Sequence, residues 1–403
     1  MVKQKKIPDG YKMSEVGVIP CEWEVKKLGD LTNKIGSGIT PRGGVRVYKT
    51  KGRPFVRSQN VKSGYLDLRD IVFIDQETHN TFSGTELRNN DVLLNITGAS
   101  IGRSAVVNEK IIGGNVNQHV CILRPNKENL DSIYLCEYLI SVQGQKFIDS
   151  FQSGGNREGL NFKQIASISI PIPKIKEQKS IATALSDMDD LILSMKKLID
   201  KKKLIKQGTM QELFSEKKIS DEKWNYKSLE NVANITMGQS PDSVYYNNDN
   251  NGLPLIQGNA DIENRKTIIR SYTSQITKRS KCGDIIMTVR APVGKVAKAQ
   301  FDCCIGRGVC AISYNNDFLY HYLIYLEDSW GKLSKGSTFD SINSDEVKSL
   351  IVPIPSEEEQ KAIAKILSDM DQEIEKLEIK LDKYKQIKKG MMEELLTGKR
   401  RLI

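Results

Sequence analysis

Side chains able to contact phosphate and base edges are concentrated in glycine-rich polar stretches, which occur in both halves of the sequence. Glycine allows a backbone N–H to approach a phosphate closely, and arginine or lysine supplies a positive charge. Arginine can donate two hydrogen bonds to guanine, and asparagine or glutamine can pair in the same way with adenine. These residue types predict DNA-contacting loops. The candidate contact residues are Ser37, Thr40, Arg42, Arg57, Gln59, Asn60, Thr97, Ser100, Arg103, Asn117, Gln118, Asn156, Arg157, Gln239, Ser240, Gln257, Asn259, Arg290, Lys295, Arg307, Lys335, Ser337 and Thr338.

Motifs for catalysis are missing from the sequence. It contains no phosphate loop of the form GxxxxGK[ST] and neither of the two loops that an adenine methyltransferase would need. A nuclease needs clustered carboxylates that hold Mg²⁺, and the nearest approach to such a cluster is Asp340 with Glu346 and Lys348. The equivalent place in the first half lacks this trio. The sequence therefore predicts a chain without a catalytic centre, and a self-contained DNA-cleaving enzyme that uses the trio is the alternative.

The loops are carried by a chain that repeats itself once. Pro171-Ile172-Pro173 aligns with Pro353-Ile354-Pro355, and the segments that follow then match without a gap. The preceding stretches repeat more loosely, as Gly38-Ile39-Thr40-Pro41 does with Gly238-Gln239-Ser240-Pro241. Similar scaffolds with different loops indicate two similar ligands that differ in detail. The repeat divides the chain into a variable domain at 1–170, a helical region at 171–219, a second variable domain at 220–352 and a second helical region at 353–403.

The variable domains have short apolar runs between turn signals, followed by helix-like stretches. The runs include Val120–Leu123 in the first domain and Val309–Ile312 in the second. This pattern predicts a mixed α+β fold with mainly antiparallel strands and long loops.

The helical regions have apolar residues at alternating steps of three and four, which is the seam of a coiled coil. A narrow apolar seam on a long helix needs a partner helix, and the other copy is available in the same chain. We expect the two helices to pair within the chain as an antiparallel coiled coil, giving a pseudo-twofold repeat. A parallel pair and an intermolecular coiled coil of a structural protein are the alternatives. The seam residues are Ile181, Leu185, Met188, Ile192, Ile199, Ile363, Leu367, Met370, Ile374, Leu377 and Leu381.

Charge and cysteine content add to this interpretation. The chain has 60 lysine and arginine residues against 50 aspartate and glutamate residues, a formal net charge of +10 that favours binding to polyanions. No apolar run has the length of a membrane span, and no secretion signal follows the basic start. The seven cysteines form no C-x-x-C pair, and Cys282, Cys303, Cys304 and Cys310 fit no zinc spacing. We therefore expect a cytoplasmic protein with reduced thiols, no metal site and no membrane contact.

The pattern resembles the specificity subunit of type I restriction–modification enzymes over essentially the whole chain. The most specific elements are the two Pro-Ile-Pro segments and the helical segments after them, with Glu177-Gln178-Lys179 and Glu359-Gln360-Lys361 near their starts. The opening stretch from Tyr11 to Leu28 is also similar to the beginning of that family's domains.

The resemblance implies that the variable domains are two target-recognition domains, held a fixed distance apart by two conserved helical regions. Each domain would read one half of a split, asymmetric site in double-stranded DNA. Two modification subunits that bind S-adenosylmethionine and methylate adenine would dock on the helices. Restriction subunits that need ATP and Mg would join them to form a translocase and nuclease. The present chain would direct this chemistry, hold no cofactor and catalyse none of it.

Overall fold

The computed structural model describes residues 7–152, 159–215, 224–327, 330 and 341–403. The chain forms two compact units, which we call unit 1 (Met1–Lys196 with Lys380–Ile403) and unit 2 (Lys197–Ile379). This division differs from the four sequence segments because each unit includes part of both long helices.

The strands of the first half are β1 (Tyr11–Ser14), β2 (Gly17–Pro20), β3 (Glu24–Lys27), β4 (Thr32–Ser37), β5 (Arg53–Val56), β6 (Val72–Ile74), β7 (Val92–Asn95), β8 (Ser104–Val106), β9 (Asn115–Val116), β10 (Val120–Pro125) and β11 (Ser169–Ile172). The strands of the second half are β12 (Asn225–Ser228), β13 (Asn234–Met237), β14 (Tyr246–Asn247), β15 (Leu253–Ile256), β16 (Ile262–Glu263), β17 (Lys266–Thr267), β18 (Tyr272–Thr273), β19 (Arg279–Ser280), β20 (Ile285–Thr288), β21 (Val296–Lys298), β22 (Cys303–Ile305), β23 (Val309–Ser313) and β24 (Ile351–Ile354). The helices are α1 (Leu28–Leu31), α2 (Gln76–Asn80), α3 (Ser132–Ile140), α4 (Val142–Ser150), α5 (Phe162–Ala166), α6 (Ile175–Phe214), α7 (Phe318–Leu326), α8 (Ser344–Lys348) and α9 (Glu357–Leu395).

Unit 1 is built on an antiparallel sheet of order β4-β10-β7-β8 and a smaller sheet of order β6-β5-β9, in which β5 and β9 are parallel. Alternate residues of β7 point to opposite faces of the sheet. Val92 and Leu94 pack with Tyr134 of α3, whereas Leu93 packs with Val56 of the smaller sheet. Both faces are therefore buried, which explains why the strand sequence is a continuous apolar run.

Unit 2 repeats this plan. Its larger sheet has the order β13-β23-β20-β21-β17-β16, and its second sheet, β14-β18-β15-β22-β19, again contains a parallel pair, β15 with β22. In β20, Ile285 and Met287 pack with Leu319 of α7, whereas Ile286 packs with Ile256 of the second sheet. The predicted mixed α+β fold with an internal repeat is confirmed.

The repeated Pro-Ile-Pro and Glu-Gln-Lys motifs connect each domain to a long helix. The first two residues of each Pro-Ile-Pro segment end β11 and β24, which pair antiparallel with β3 and β12. In unit 1 the buried Gln178 accepts a hydrogen bond from Asp131 N–H (2.9 Å) and donates to Pro173 O (3.0 Å). In unit 2 Gln360 accepts from the Tyr314 hydroxyl (2.8 Å) and donates to Pro355 O (3.0 Å). The same glutamine thus fixes the start of each long helix.

The long helices pair antiparallel within each unit, as predicted. In unit 1 Ile181 and Leu185 near the start of α6 share a core cluster with Leu395 at the end of α9. In unit 2 Leu213 near the end of α6 shares a cluster with Leu367 near the start of α9. The predicted seam residues are all buried or half-buried. Among the residues that the structure describes, no helix has both the length and the apolar character needed to cross a membrane.

Candidate nucleic-acid interface

The turn between β9 and β10 lies at the centre of the candidate surface of unit 1. Asn117 N–H donates to Val56 O at the end of β5 (3.1 Å), and Ile96 N–H donates to His119 O (3.0 Å). These two bonds hold the turn between the end of β5 and the loop that joins β7 to β8. Gln118 at the tip is exposed, while Asn117 is buried and accepts a hydrogen bond from His119 N–H (3.2 Å).

A chain of polar side chains joins three loops across this surface. The Thr40 hydroxyl hydrogen-bonds to Gln118 Oε1, Gln118 Nε2 lies 3.0 Å from His119 Nε2, and His119 Nδ1 lies 2.6 Å from Thr97 Oγ1. Because an amide nitrogen only donates, His119 Nε2 accepts and the ring proton on Nδ1 is donated to Thr97. The Thr97 hydroxyl hydrogen then remains available to a ligand.

The candidate residues of the loop after β5 form hydrogen bonds within the loop itself. Asn60 is fully buried, donates to Asp70 Oδ1 (2.7 Å) and accepts from Arg57 N–H (2.9 Å). Arg57 donates to Asp70 O (2.7 Å), and the amide of Gln59 hydrogen-bonds to the Asp70 carboxylate. In this structure the carboxamide of Asn60 therefore holds the turn together and is not exposed to a ligand, unlike the surface contact expected from the sequence. The positive charge of Arg57 faces Asp70.

The loop between β7 and β8 carries the next candidates. Its backbone pairs with the chain that follows α4, through a bridge between Thr97 and Gly159. Ser100 Oγ accepts from Asn95 Nδ2 (3.1 Å), so Ser100 too is partly used within the loop. Arg103 at the end of the loop is exposed. Asn156 and Arg157 lie outside the described residues.

Two other candidates of unit 1 lie on the loop after β4. Ser37 is the half-buried last residue of β4, and Arg42 is exposed. Gly38 begins the loop, and a Cβ built there would lie 1.6 Å from Val116 O. Only glycine therefore lets this loop pack against the turn that carries Gln118.

Unit 2 places a second turn in the same environment. Gly306 N–H donates to Ile256 O at the end of β15 (2.8 Å), and Val289 N–H donates to Gly308 O (2.9 Å). Arg307 at the tip is exposed, and its N–H donates to Ser240 Oγ (3.1 Å). By these matched bonds Arg307 occupies the position of Gln118, and Ser240 that of Thr40.

The close approach of glycine also recurs. A Cβ on Gly238 would lie 2.1 Å from Gly306 O, as a Cβ on Gly38 would approach Val116 O. The repeated Gly-x-x-Pro motif is thus explained by packing of the loop on the turn. It makes the turn a fixed platform and is not itself evidence of a ligand.

The remaining candidates of unit 2 divide into exposed and internally paired side chains. Gln239, Gln257, Asn259 and Arg290 are exposed. Lys295 instead lies 3.2 Å from Glu327, which also pairs with Arg265, so its charge is used within the unit. The positions of Lys335, Ser337 and Thr338 lie outside the described residues.

Four of the candidate arginines have guanidinium groups that make no hydrogen bond or ion pair with any residue of the described ranges. They are exposed, and an uncompensated guanidinium on a fixed loop is suited to phosphate or guanine. This distinguishes them from Arg57 and Lys295, which face carboxylates. The four are Arg42, Arg103, Arg290 and Arg307.

His119 is the functional candidate that the sequence did not single out. In sequence it is a single histidine with no other histidine or catalytic pattern beside it, so its residue type carries no functional signal. Its contacts show that it orients Gln118 and Thr97. The signal that the sequence offers for His119 is its position next to Gln118, a predicted contact residue.

Glu346, the central residue of the alternative nuclease site, has a structural role. Glu346 accepts a hydrogen bond from Asn343 N–H (2.7 Å), and Asn343 Oδ1 accepts from Glu346 N–H (3.0 Å), a capping box at the start of α8. In the first half Asn161 and Gln164 form the same box at α5. Gln164 caps α5 in the way that Glu346 caps α8, so helix capping is sufficient to explain the glutamate at position 346. Asp340 lies outside the described residues. In the described ranges no group of three or more His, Cys, Asp or Glu side chains is arranged to hold a metal ion.

A buried ionic cluster joins α3 to the long helices in unit 1. Lys388 Nζ lies 2.6 Å from Asp189 and 3.0 Å from Glu137, whose side chain is only 4 % exposed. Burial raises the pKa of Glu137 to about 7, against the opposing attraction of Lys388. Burial by itself lowers the pKa of Lys388, but the two carboxylates outweigh it and the pKa is raised.

Unit 2 has the same lysine–aspartate pair with a different third member. Lys206 lies 2.5 Å from Asp371, and the buried side chain that α7 contributes here is His321, whose Nδ1 lies 3.9 Å from Asp371. His321 Nε2 lies 2.9 Å from Ser368 Oγ. Burial, followed by repulsion from Lys206, lowers the pKa of His321 to about 3, so the ring is neutral at pH 7.

Comparisons with known proteins all give the same family, and several matches extend over nearly the whole chain. The family model described as "Type I restriction modification DNA specificity domain" matches residues 20–203 and 221–382. The MjaX type I restriction enzyme specificity subunit of Methanocaldococcus jannaschii is 32 % identical over 98 % of this chain and 97 % of its own length. The MjaVIII specificity subunit of the same organism is 25 % identical over 95 % and 94 %.

Solved structures show the same fold. The type I restriction–modification S subunit from M. genitalium superposes with a TM-score of 0.62 at 15 % identity, over 97 % of this chain and 98 % of that one. A chain from a structure titled for the complex assembly and conformational transition of a type I R-M system gives a TM-score of 0.62 at 23 % identity, covering 94 % and 99 %.

Proposed function

The chain belongs to the type I restriction–modification DNA specificity family, and from this premise we propose that it reads a two-part, asymmetric DNA site. The loops of unit 1 would read one half and those of unit 2 the other. The relatives are named as specificity subunits, so the role of the chain in this family is recognition and not catalysis.

One observation carries the proposal. The two units share a core strand order and the same loop platform, yet they present different side chains at matched places, such as Gln118 and Arg307. A duplicated scaffold with matched loops of different chemistry suits two DNA half-sites of different sequence. It does not suit two copies of one site.

The proposed partners are double-stranded DNA, two modification subunits and the restriction subunits of a type I complex. The modification subunits would bind S-adenosylmethionine and methylate adenine, and the restriction subunits would use ATP and Mg. Family membership supports this assembly. The net charge of +10 supports attraction to DNA.

The experiment is co-expression of the chain with a modification subunit in a host that lacks adenine methylation. Methylated adenine should map to one split motif, and only when this chain is present. Methylation that is unchanged without the chain would contradict the proposal. As a second arm, replacing residues 220–352 by the corresponding domain of another family member should change one half of the motif and leave the other half intact.

A further inference from the structure

The tip of the turn that follows β9 in unit 1, and β22 in unit 2, carries one exposed side chain in each unit. Gln118 and Arg307 are equivalent by backbone hydrogen bonds on both sides of the tip. Both turns pack on a glycine, Gly38 or Gly238, where any side chain would collide with backbone. The tips are therefore fixed platforms, and their side chains differ in chemistry.

Gln118 is oriented in advance. Thr40 and His119 occupy one lone pair of Oε1 and one hydrogen of Nε2. The amide retains one acceptor position and one N–H donor. An acceptor and a donor on one planar group match N6–H and N7 of adenine in the major groove.

Arg307 is prepared differently. It stands between Gly306 and Gly308, so no side chain crowds it on either side. Its backbone N–H is fixed by Ser240, and its guanidinium is unpaired among the residues that the structure describes. A planar donor-only group with two parallel N–H bonds matches O6 and N7 of guanine.

We infer that Gln118 and Arg307 are the corresponding specificity-determining residues of the two units, with Gln118 selecting adenine in one half-site and Arg307 selecting guanine in the other. This inference rests on the proposed function, since it assigns one base in each half of the proposed motif. It predicts that the two half-sites differ at corresponding positions in the way these side chains differ.

The test is a reciprocal exchange, Gln118→Arg and Arg307→Gln, in full-length chain co-expressed with the modification subunit. Methylation mapping should show adenine replaced by guanine at one position of the first half-site for Gln118→Arg. For Arg307→Gln it should show guanine replaced by adenine at one position of the second half-site. In each case the other half stays unchanged. Binding of the purified complex to duplexes that differ only at that base should shift in preference by about five- to 150-fold.

Two control variants match the changes in charge. Gln207→Arg adds an arginine at an exposed position of α6, and Arg270→Gln removes one at an exposed position between β17 and β18. Neither should alter the motif. If the unchanged chain gives no split motif, the proposed function fails and the inference fails with it. If that motif appears and the exchanged variants keep its bases, or weaken binding equally for all bases, only the inference is overturned.

Discussion

The two units fasten a domain helix to the long helices with the same lysine and aspartate but with a different third group. Unit 1 uses Lys388, Asp189 and the buried acid Glu137, whereas unit 2 uses Lys206, Asp371 and the neutral His321. The repeated helices supply the common pair, and the domain supplies the variable member. We therefore expect the stability of the two domains to depend on the lysine to different degrees, although the helices are nearly copies.

The largest expected effect is the loss of the unit 1 lysine. Lys388→Met removes the cation from two carboxylates, one of them buried, and should destabilise unit 1 by about 3–5 kcal/mol. Lys206→Met should cost unit 2 about 1 kcal/mol or less, because Asp371 is 42 % exposed and His321 carries no charge. Hydrogen exchange of peptides from α3 and α7 reports each unit separately.

The neighbouring exposed Lys389 supplies the control, since Lys389→Met should leave both peptides unchanged. Equal losses from Lys388→Met and Lys206→Met would show that the third group does not matter. The contrast between the two clusters would then be without consequence for stability.

A second contrast separates arginines that are free from arginines that are already paired. The guanidinium of Arg290 has no partner among the described residues, whereas that of Arg57 is held by Asp70. Arg290→Ala should weaken binding of the assembled complex to its site by about 1–3 kcal/mol. If Arg290 binds phosphate, the loss should be equal across sequences and the salt dependence should fall by about one charge.

Arg57→Ala should change DNA affinity less, because its charge is already compensated by Asp70. Its main effect should be faster hydrogen exchange in the loop after β5. Competition binding over a salt series measures both variants. A larger affinity loss for Arg57→Ala than for Arg290→Ala would reverse this ranking of the candidates.

The stability of the two ionic clusters, with Glu137 in unit 1 and His321 in unit 2, should also change with pH in opposite directions. The pKa of Glu137 is raised from 4.5 to about 7, so its contribution to stability is present below pH 4.5 and is lost as pH rises through 7. The pKa of His321 is lowered from 6.5 to about 3, so its contribution is present above pH 6.5 and is lost as pH falls towards 3.

Acidification from pH 6.5 to 5.5 should therefore stabilise unit 1 and destabilise unit 2, each by about 1 kcal/mol. Hydrogen exchange of the α3 and α7 peptides, corrected for intrinsic rates, measures the two responses. Glu137→Gln and His321→Asn should each abolish the response of their own unit only. A response of the same sign in both units would mean that other groups dominate.

What the sequence could predict depended on how local each signal was. The long helices and their pairing follow from a repeated seam such as Ile181 and Leu185, which is visible along the chain, whereas the seam alone leaves a parallel pair as an alternative to the antiparallel one. The roles of single polar residues depend on partners that the fold brings to them. Lys295 is paired with Glu327, and Asn60 is enclosed with Asp70, although both resemble surface contacts in sequence. The composition of the loops predicted the candidate surface. It did not distinguish residues that hold the loops in place from residues that are free to contact DNA.

The smallest expected effect compares the two capping boxes. Asn161 with Gln164 caps α5, and Asn343 with Glu346 caps α8 in the same way. Glu346→Gln therefore copies the first box into the second, and stability should change by no more than a few tenths of a kcal/mol. Thermal unfolding and motif mapping of the variant should match those of the unchanged chain, whereas Asn343→Ala should cost about 1 kcal/mol because it removes the cap itself. If Glu346→Gln instead abolished Mg²⁺-dependent DNA cleavage by the purified chain while stability stayed the same, Glu346 would have a chemical role that Gln164 cannot share, and the equivalence of the two boxes would fail.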